Sequence, residues 1–329
     1  MIIVRSPLRI SFAGGGTDIR DYYKNDFGAV CSMAINKYVY VTINDLATYF
    51  PHRFRIAYSQ TELTQDAASI KHPIVREAMS SMKLRGGIDV NVMADIPAGT
   101  GMGSSSAFTV SLLHALSAFR NELVSKDELA REASRVEIDV LKEPIGKQDQ
   151  YAAAFGGINL FRFLKNEQVS VEPLPMSQAA RKKLSNNLLM FYLGGNRAAS
   201  AILKTQTENV ETNRAHLDKM RAQALRAAEI LAGKHPLDEL GALLNEGWEL
   251  KKNLASGITT SDIDQVISKG LDAGALGGKL LGAGGTGFLL FYCPKDRKPA
   301  VRRALENYAE AHFQVDDMGS TLLYYAPNG

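Results

Sequence analysis

The chain has 329 residues, 45% of them hydrophobic, enough for one large core or two of ordinary domain size. Its 38 basic and 35 acidic side chains leave a net charge of only +3, with no basic block long enough to neutralise a run of phosphates, which argues against a nucleic-acid partner. Arg5 and Arg9 interrupt the apolar N-terminus where a signal peptide needs an uncharged run, and no later segment reaches about 18 uncharged apolar residues, so the expectation is a soluble cytoplasmic protein without a membrane span.

Strand patterns come first along the chain. MIIVRSPLRISF, VCSMAINKYVYVTIN and GIDVNVMADI show the alternation or β-branched enrichment of strands, and Tyr38 to Ile43 is the clearest. Helices follow: Ala107 to Phe119, then Lys126 to Leu141 opened by a capping box of Ser125 and Glu128, then Gln148 to Phe155. GGINLFRFL and SVEPL read as a strand pair, and Pro173 and Pro175 then interrupt both periodicities. A fresh strand signal, NLLMFYLGG, places a domain boundary there, giving 1–172 and 173–329. In the second half one long helical stretch is expected from about Ala198 to Ala232, carrying an apolar stripe through Ile202, Val210, Leu217, Met220, Leu225 and Leu231. A further helix is expected over Leu237 to Leu254, and then a glycine-rich turn feeds an apolar strand in GALGGKLLGAGGTGFLLFYC. The result is a mixed α/β chain in two parts. Cys31 and Cys293 lie far apart in apolar settings and read as buried free thiols.

The stretch ADIPAGTGMGSSSA, residues 94–107, stands between a strand and a helix. Gly99, Gly101 and Gly103 let the main chain approach a ligand closely and take positive φ. A helix starting near Ser104 points its unpaired N–H groups and positive dipole end back into that loop. Together they form an anion site suited to a triphosphate, and the hydroxyls of Ser104, Ser105 and Ser106 add neutral donors and one ligand for Mg²⁺. The chain has no Gly-x-x-x-x-Gly-Lys-Ser/Thr, and Gly14-Gly15-Gly16 lacks the dinucleotide spacing.

These residues resemble the signature Pro-x-x-x-Gly-Leu-Gly-Ser-Ser-(Ser)-Ala of the GHMP kinase superfamily, which includes galactokinase, homoserine kinase, mevalonate kinase and phosphomevalonate kinase. Two further stretches match in the family's order, SPLRISFAGGGTD from Ser6 to Asp18 and LGAGGTGF from Leu281 to Phe288, so the likeness covers almost the whole chain. The wording of the first stretch, with GKQDQYAAAFGGIN later, is most similar to the D-glycero-D-manno-heptose 7-phosphate kinases. These phosphorylate the anomeric oxygen of a heptose already phosphorylated at carbon 7, on the way to nucleotide-activated heptose. The resemblance implies an α+β, two-domain fold: an N-terminal domain like ribosomal protein S5 domain 2 and a ferredoxin-like C-terminal domain, with the cleft between them. It implies an ATP-dependent kinase acting on a small sugar phosphate. Fucokinase-like or galactokinase-like substrates are the alternative, and a non-catalytic sugar- or nucleotide-binding regulator is a further one. A homo-oligomer stays open.

Phosphoryl transfer is mostly positioning and charge neutralisation, so it needs a phosphate cradle, a metal ligand, a proton acceptor and a cation. Glu137 and Asp149 lie twelve residues apart in apolar helix, with Pro144 and Gly146 breaking the helix between them so that two helices can converge. The resemblance assigns Glu137 to Mg²⁺ jointly with Ser105, Asp149 to the general base, and Arg9 to the cation that assists it. It places ATP on Pro97, Gly99, Gly101, Met102, Gly103, Ser104, Ser105 and Ser106. It places the sugar on Gly15, Gly16, Thr17 and Asp18, with glycines at 15 and 16 where galactokinases carry Glu and His, and on Gly284 and Gly285 of the last loop. For the substrate's own phosphate the candidate cations are Arg197, with Lys204 seven residues on and two turns along the same helix face, and Lys147. Lys251 and Lys279 find no role at this level. His72, His114, His216, His235 and His312 show no ligand spacing. The segment from Tyr58 to Pro73 is left as a contributor to an adenine pocket.

Overall fold

The computed structural model describes residues 1–195 and 200–326. Its strands are β1 (Ile2–Ala13), β2 (Phe27–Asp45), β3 (Phe54–Ala57), β4 (Thr61–Thr64), β5 (Ile88–Ala94), β6 (Ile158–Leu164), β7 (Val169–Pro173), β8 (Leu188–Tyr192), β9 (Gly277–Leu280), β10 (Phe288–Tyr292), β11 (Ala309–Glu310) and β12 (Thr321–Tyr325). Its helices are α1 (Arg20–Tyr23), α2 (Pro73–Ser81), α3 (Ser104–Phe119), α4 (Lys126–Ser134), α5 (Gln148–Phe155), α6 (Gln178–Asn187), α7 (Ser200–Glu208), α8 (Arg214–Leu231), α9 (Glu239–Lys252), α10 (Ser261–Asp272) and α11 (Lys298–Ala304).

Two sheets organise the molecule. The first has eight strands in the order β12-β1-β2-β5-β3-β4, with β6 and β7 branching from β2. The 19-residue strand β2 makes the branch possible: Phe27 to Met33 pair with β6, and Val39 to Asp45 pair with β5. The second sheet, β11-β8-β10-β9, is antiparallel and comes from the second half of the chain. From Ser6 onward β1 is buried on both faces, because α3, α5 and α8 all pack on it. That explains why its sequence stops alternating after Arg5. A two-domain α+β architecture follows, with the glycine loops of both halves at the junction. The sequence boundary at 172 and 173 cuts within β7, and β12 crosses back to pair with β1 in the first sheet.

Ser125 and Glu128 form the capping box at the start of α4. The helix expected as far as Leu141 is α-helical only to Ser134; Arg135 to Val140 then widen into a π-turn. The single helix expected over 198–232 is two, α7 and α8. The break at 209–213 holds Asn209, Val210, Thr212 and Asn213, all poor helix formers, and the Asn213 side chain donates to the Leu254 carbonyl (2.7 Å). Tertiary contact outbids an apolar stripe that continues through Val210. Both cysteines are buried and free. Among the described residues no helix is long and apolar enough to cross a membrane.

Candidate active site

The loop between β5 and α3 supplies the first wall. Gly103 takes φ 76° as the N-cap of α3, a conformation that glycine adopts without steric cost, and Gly101 takes φ 77°. A Cβ on Gly101 would stand 2.6 Å from the Leu281 carbonyl oxygen, so the bare backbone lets the loop touch the C-terminal glycine loop. A Cβ on Gly103 would lie 3.1 Å from the Asp149 carboxylate. The first N–H groups of α3 therefore open onto a cleft of about 290 Å³ that Gly99, Gly101, Gly103, Ser104, Ser105 and Ser106 line. Pro97 and Met102 do not line it. The Pro97 carbonyl accepts from the Thr100 hydroxyl (2.9 Å), and Met102 is buried, its carbonyl accepting from the Arg9 amide (3.2 Å). Both hold the loop in place.

Across the cleft, β1 and the first turn of α5 bring Arg9 and Asp149 together. Arg9 Nε and Nη2 donate to the two carboxylate oxygens of Asp149 (2.7 and 3.0 Å), and Nη1 donates to the Gly101 carbonyl (2.7 Å). One guanidinium thus ties an acidic residue to the glycine loop in bidentate geometry, with the Arg9 side chain 6% exposed and that of Asp149 23%. Asp18 lies in the same cleft, 2% exposed, its carboxylate accepting from the amides of Gly16 (2.9 Å) and Gln148 (3.1 Å). Burial, and then the nearby Asp149 charge, push its pKa up. Gly15 and Gly16 line the cleft beside it. Thr17 does not: it is buried, and its hydroxyl accepts from the Ala29 amide (3.0 Å), pinning the turn to β2.

Glu137 sits on the π-turn after α4. Its carboxylate accepts from the Ser105 hydroxyl (3.0 Å) and from the Gln150 side-chain amide (2.7 Å). Burial raises its pKa to about 7, against these hydrogen bonds. A serine oxygen and a carboxylate at the mouth of a phosphate cradle are the hard oxygen donors that suit Mg²⁺. Gln148 Oε1, Ser11 Oγ and Gln206 Nε2 also line the cleft, buried and without a hydrogen-bond partner among the described residues. Polar atoms left in that state are ready for a hydroxyl-rich ligand.

Other expected site residues go elsewhere. The Lys147 ammonium is buried against Glu167, bonding its carboxylate and its carbonyl (3.1 Å), and does not line the cleft. Gly284 and Gly285 pack on Ile258, the Gly285 amide donating to its carbonyl (2.8 Å), while Gly282 and Ala283 face the cleft instead. Lys204 is exposed beside Glu208, and Arg197 lies outside the described residues. The 58–73 segment stacks beside α3, the His72 ring packing edge-on against both Tyr58 and Phe108. Lys251 and Lys279 both line the cleft, a placement that sequence reasoning missed. The available signal was helical spacing, which puts Lys251 on the same face as the buried Trp248.

A glycine loop at a helix N-terminus, opening on a cleft between two α+β domains, is the plan of a small-molecule kinase. Residues 67–157 match the GHMP kinases N terminal domain and residues 222–311 match GHMP kinases C terminal, together more than half of the chain, and the protein belongs to the GHMP kinases. It is 27% identical over 318 residues to the D-glycero-alpha-D-manno-heptose 7-phosphate kinase of Campylobacter jejuni, covering 92% of this chain and 93% of that one. It is 29% identical to the L-fucokinase/L-fucose-1-P guanylyltransferase of Bacteroides fragilis over 91% of this chain, but spans only 35% of that protein. Its fold is similar to the crystal structure of a D-glycero-D-manno-heptose 1-phosphate kinase from Bacteroides thetaiotaomicron, with a TM-score of 0.82, 27% identity, and 99% and 100% of the two chains covered. The protein is a sugar kinase of this family, and the family's phosphate donor is ATP.

Proposed function

We propose that the kinase transfers the terminal phosphoryl of ATP to the anomeric hydroxyl of D-glycero-D-manno-heptose 7-phosphate, giving the 1,7-bisphosphate on the route to nucleotide-activated heptose, in the cytoplasm. The observation that carries the chemistry is the Arg9–Asp149 pair set against the bare backbone of Gly101 and Gly103. The end-to-end likeness to a heptose 7-phosphate kinase supports the substrate.

In this reading ATP lays its phosphates on the loop from Gly99 to Ser106. Asp18, with Gly15, Gly16, Ser11 and Gln148, holds sugar hydroxyls. Asp149 accepts the proton of the anomeric hydroxyl as its oxygen forms the new P–O bond and the bond to ADP breaks. Arg9 holds Asp149 in place through two of its nitrogens and adds positive charge where the phosphoryl crosses. Ser105 and Glu137 would hold Mg²⁺, which would supply charge neutralisation on the phosphates. As a second reading, the likeness to an L-fucokinase over 91% of the chain, together with Lys147 engaged by Glu167 rather than free, favours an unphosphorylated sugar as acceptor.

Coupled ADP release across heptose 7-phosphate, unphosphorylated heptose, L-fucose and D-galactose separates the two. The expected kcat/KM for the phosphorylated heptose exceeds the others by about 100-fold or more. Preference for L-fucose or D-galactose would remove the heptose phosphate and leave the kinase.

A further inference from the structure

Lys251 is a half-buried cation at the cleft to which the proposed chemistry assigns no work. It stands in the last turn of α9, where helix carbonyls favour positive charge. That helix is fixed tightly: a Cβ on Gly277 of β9 would stand 1.8 Å from the Gly241 carbonyl oxygen, so α9 lies on the strand with no side chain between them. The next residue, Lys252, turns outward to Glu249 (2.7 Å) and Asp264 (3.7 Å). Lys251 turns inward, and its ammonium donates to the Gly282 carbonyl. Gly282 in turn abuts Gly101, so the ammonium sits where the C-terminal glycine loop meets the phosphate loop.

The other cleft cations are committed. Arg9 spends three donors on Asp149 and Gly101, and Asp149 offsets its charge. Lys279 spends two donors on the carbonyls of Ser11 (2.9 Å) and Phe12 (3.1 Å), bracing the end of β1. Lys251 has three donors, and a single carbonyl is its hydrogen-bond partner among the described residues. The charged groups that face it are Arg9, Asp18, Asp149 and Lys279. Burial and then Arg9 lower its pKa to about 8, with Asp18 and Asp149 acting in the opposite sense. An ammonium held this way is poised to gain a phosphoryl oxygen, which would restore its charge.

We propose that Lys251 is a phosphoryl-binding residue of the cleft, its ammonium taking a phosphoryl oxygen held between the two glycine loops. This rests on the kinase reading only for the source of the phosphoryl: the terminal phosphate of ATP or the phosphate borne by the sugar.

Calorimetric titration near pH 8, in two buffers of different ionisation heat, tests it with a non-hydrolysable ATP analogue and with a heptose 7-phosphate, each alone. Near its pKa about half of Lys251 is neutral, so a phosphoryl contact draws about half a proton from solution. Uptake with the analogue assigns the contact to ATP, and uptake with the sugar phosphate alone assigns it to the acceptor. Lys251→Met is expected to abolish the uptake and weaken that ligand about tenfold or more. Lys251→Arg, always charged, is expected to bind with no uptake, and it serves if the Met variant does not fold. Equal proton counts in wild type and either variant, with affinities within about twofold, would overturn the assignment. Because binding is read rather than turnover, that outcome leaves the ADP-release result, on which the kinase reading stands, untouched.

Discussion

Asp149 is held on one side by the Arg9 guanidinium and lies on another beside the glycine at the N-cap of α3. Asp149→Asn keeps the shape and one acceptor but removes the proposed proton acceptor. The expected result is a fall in kcat by about 10² to 10⁴ with nucleotide affinity within about twofold, read by single-turnover ADP formation and by calorimetry. Turnover within a few-fold of wild type would remove the assigned base. Arg9, Asp18 and Asp149 were legible in the sequence because few neutral roles suit such residues inside apolar segments, and their motifs stand in family order. The direction of a side chain was not. Thr17 and Met102 lie in the motifs yet face the core, Lys147 is turned to Glu167, and Lys251 reaches the cleft from a helix whose pattern reads only as amphipathic.

At the scale of elements, local signals with a mechanism survived folding. The Ser125–Glu128 capping box opens α4, and the alternation of β2 and β5 becomes their paired register. Signals that summed many weak preferences did not, because tertiary contact overrides them. The break between α7 and α8 is set by an asparagine reaching Leu254, far along the chain. The π-turn that carries Glu137 likewise has no local signature in the residues 135–140. The glycine loops are a sharper case, since their need for glycine is two-sided. At Gly101 a side chain would require φ 77° from an L-residue and would press a Cβ to within 2.6 Å of the Leu281 carbonyl oxygen. Gly101→Ala is therefore expected to cost about 1–3 kcal/mol of stability and to raise the KM for ATP about tenfold or more, because the loop must withdraw from its partner. Thermal melting and initial rates check the two parts. An alanine variant with wild-type KM would show that the loops part when ATP binds.

At the scale of the whole molecule, the two halves visible in the sequence are joined by a strand the sequence did not announce. TLLYY at 321–325 carries no alternation, and its Leu322, Leu323, Tyr324 and Tyr325 are all more than a third exposed, so side-chain burial contributes little to holding it. Backbone pairing holds it: Ile2, Ile3, Val4 and Arg5 pair with Tyr325, Tyr324, Leu322 and Thr321. The approach to the strand is fixed as well. Ser320 Oγ bonds Ser6 Oγ (3.0 Å) and His114 Nδ1 (2.8 Å), and a Cβ on Gly156 would stand 2.2 Å from the Gly319 amide nitrogen. A chain ending at Gly319 loses the ladder and leaves the buried Ser6 and the half-buried His114 without that partner. The expected loss is on the order of 3 kcal/mol, counted from a few net backbone hydrogen bonds of about 1 kcal/mol each, and it reads as a lower urea midpoint. β1 carries Arg9 at its buried end, so the same truncation should lower kcat at temperatures well below the melting point, where the chain is still folded. An unchanged midpoint would mean that β12 does not pair in solution. A lowered midpoint with wild-type kcat would mean that the end of β1 is held by α3, α5 and α8 alone, independently of its edge.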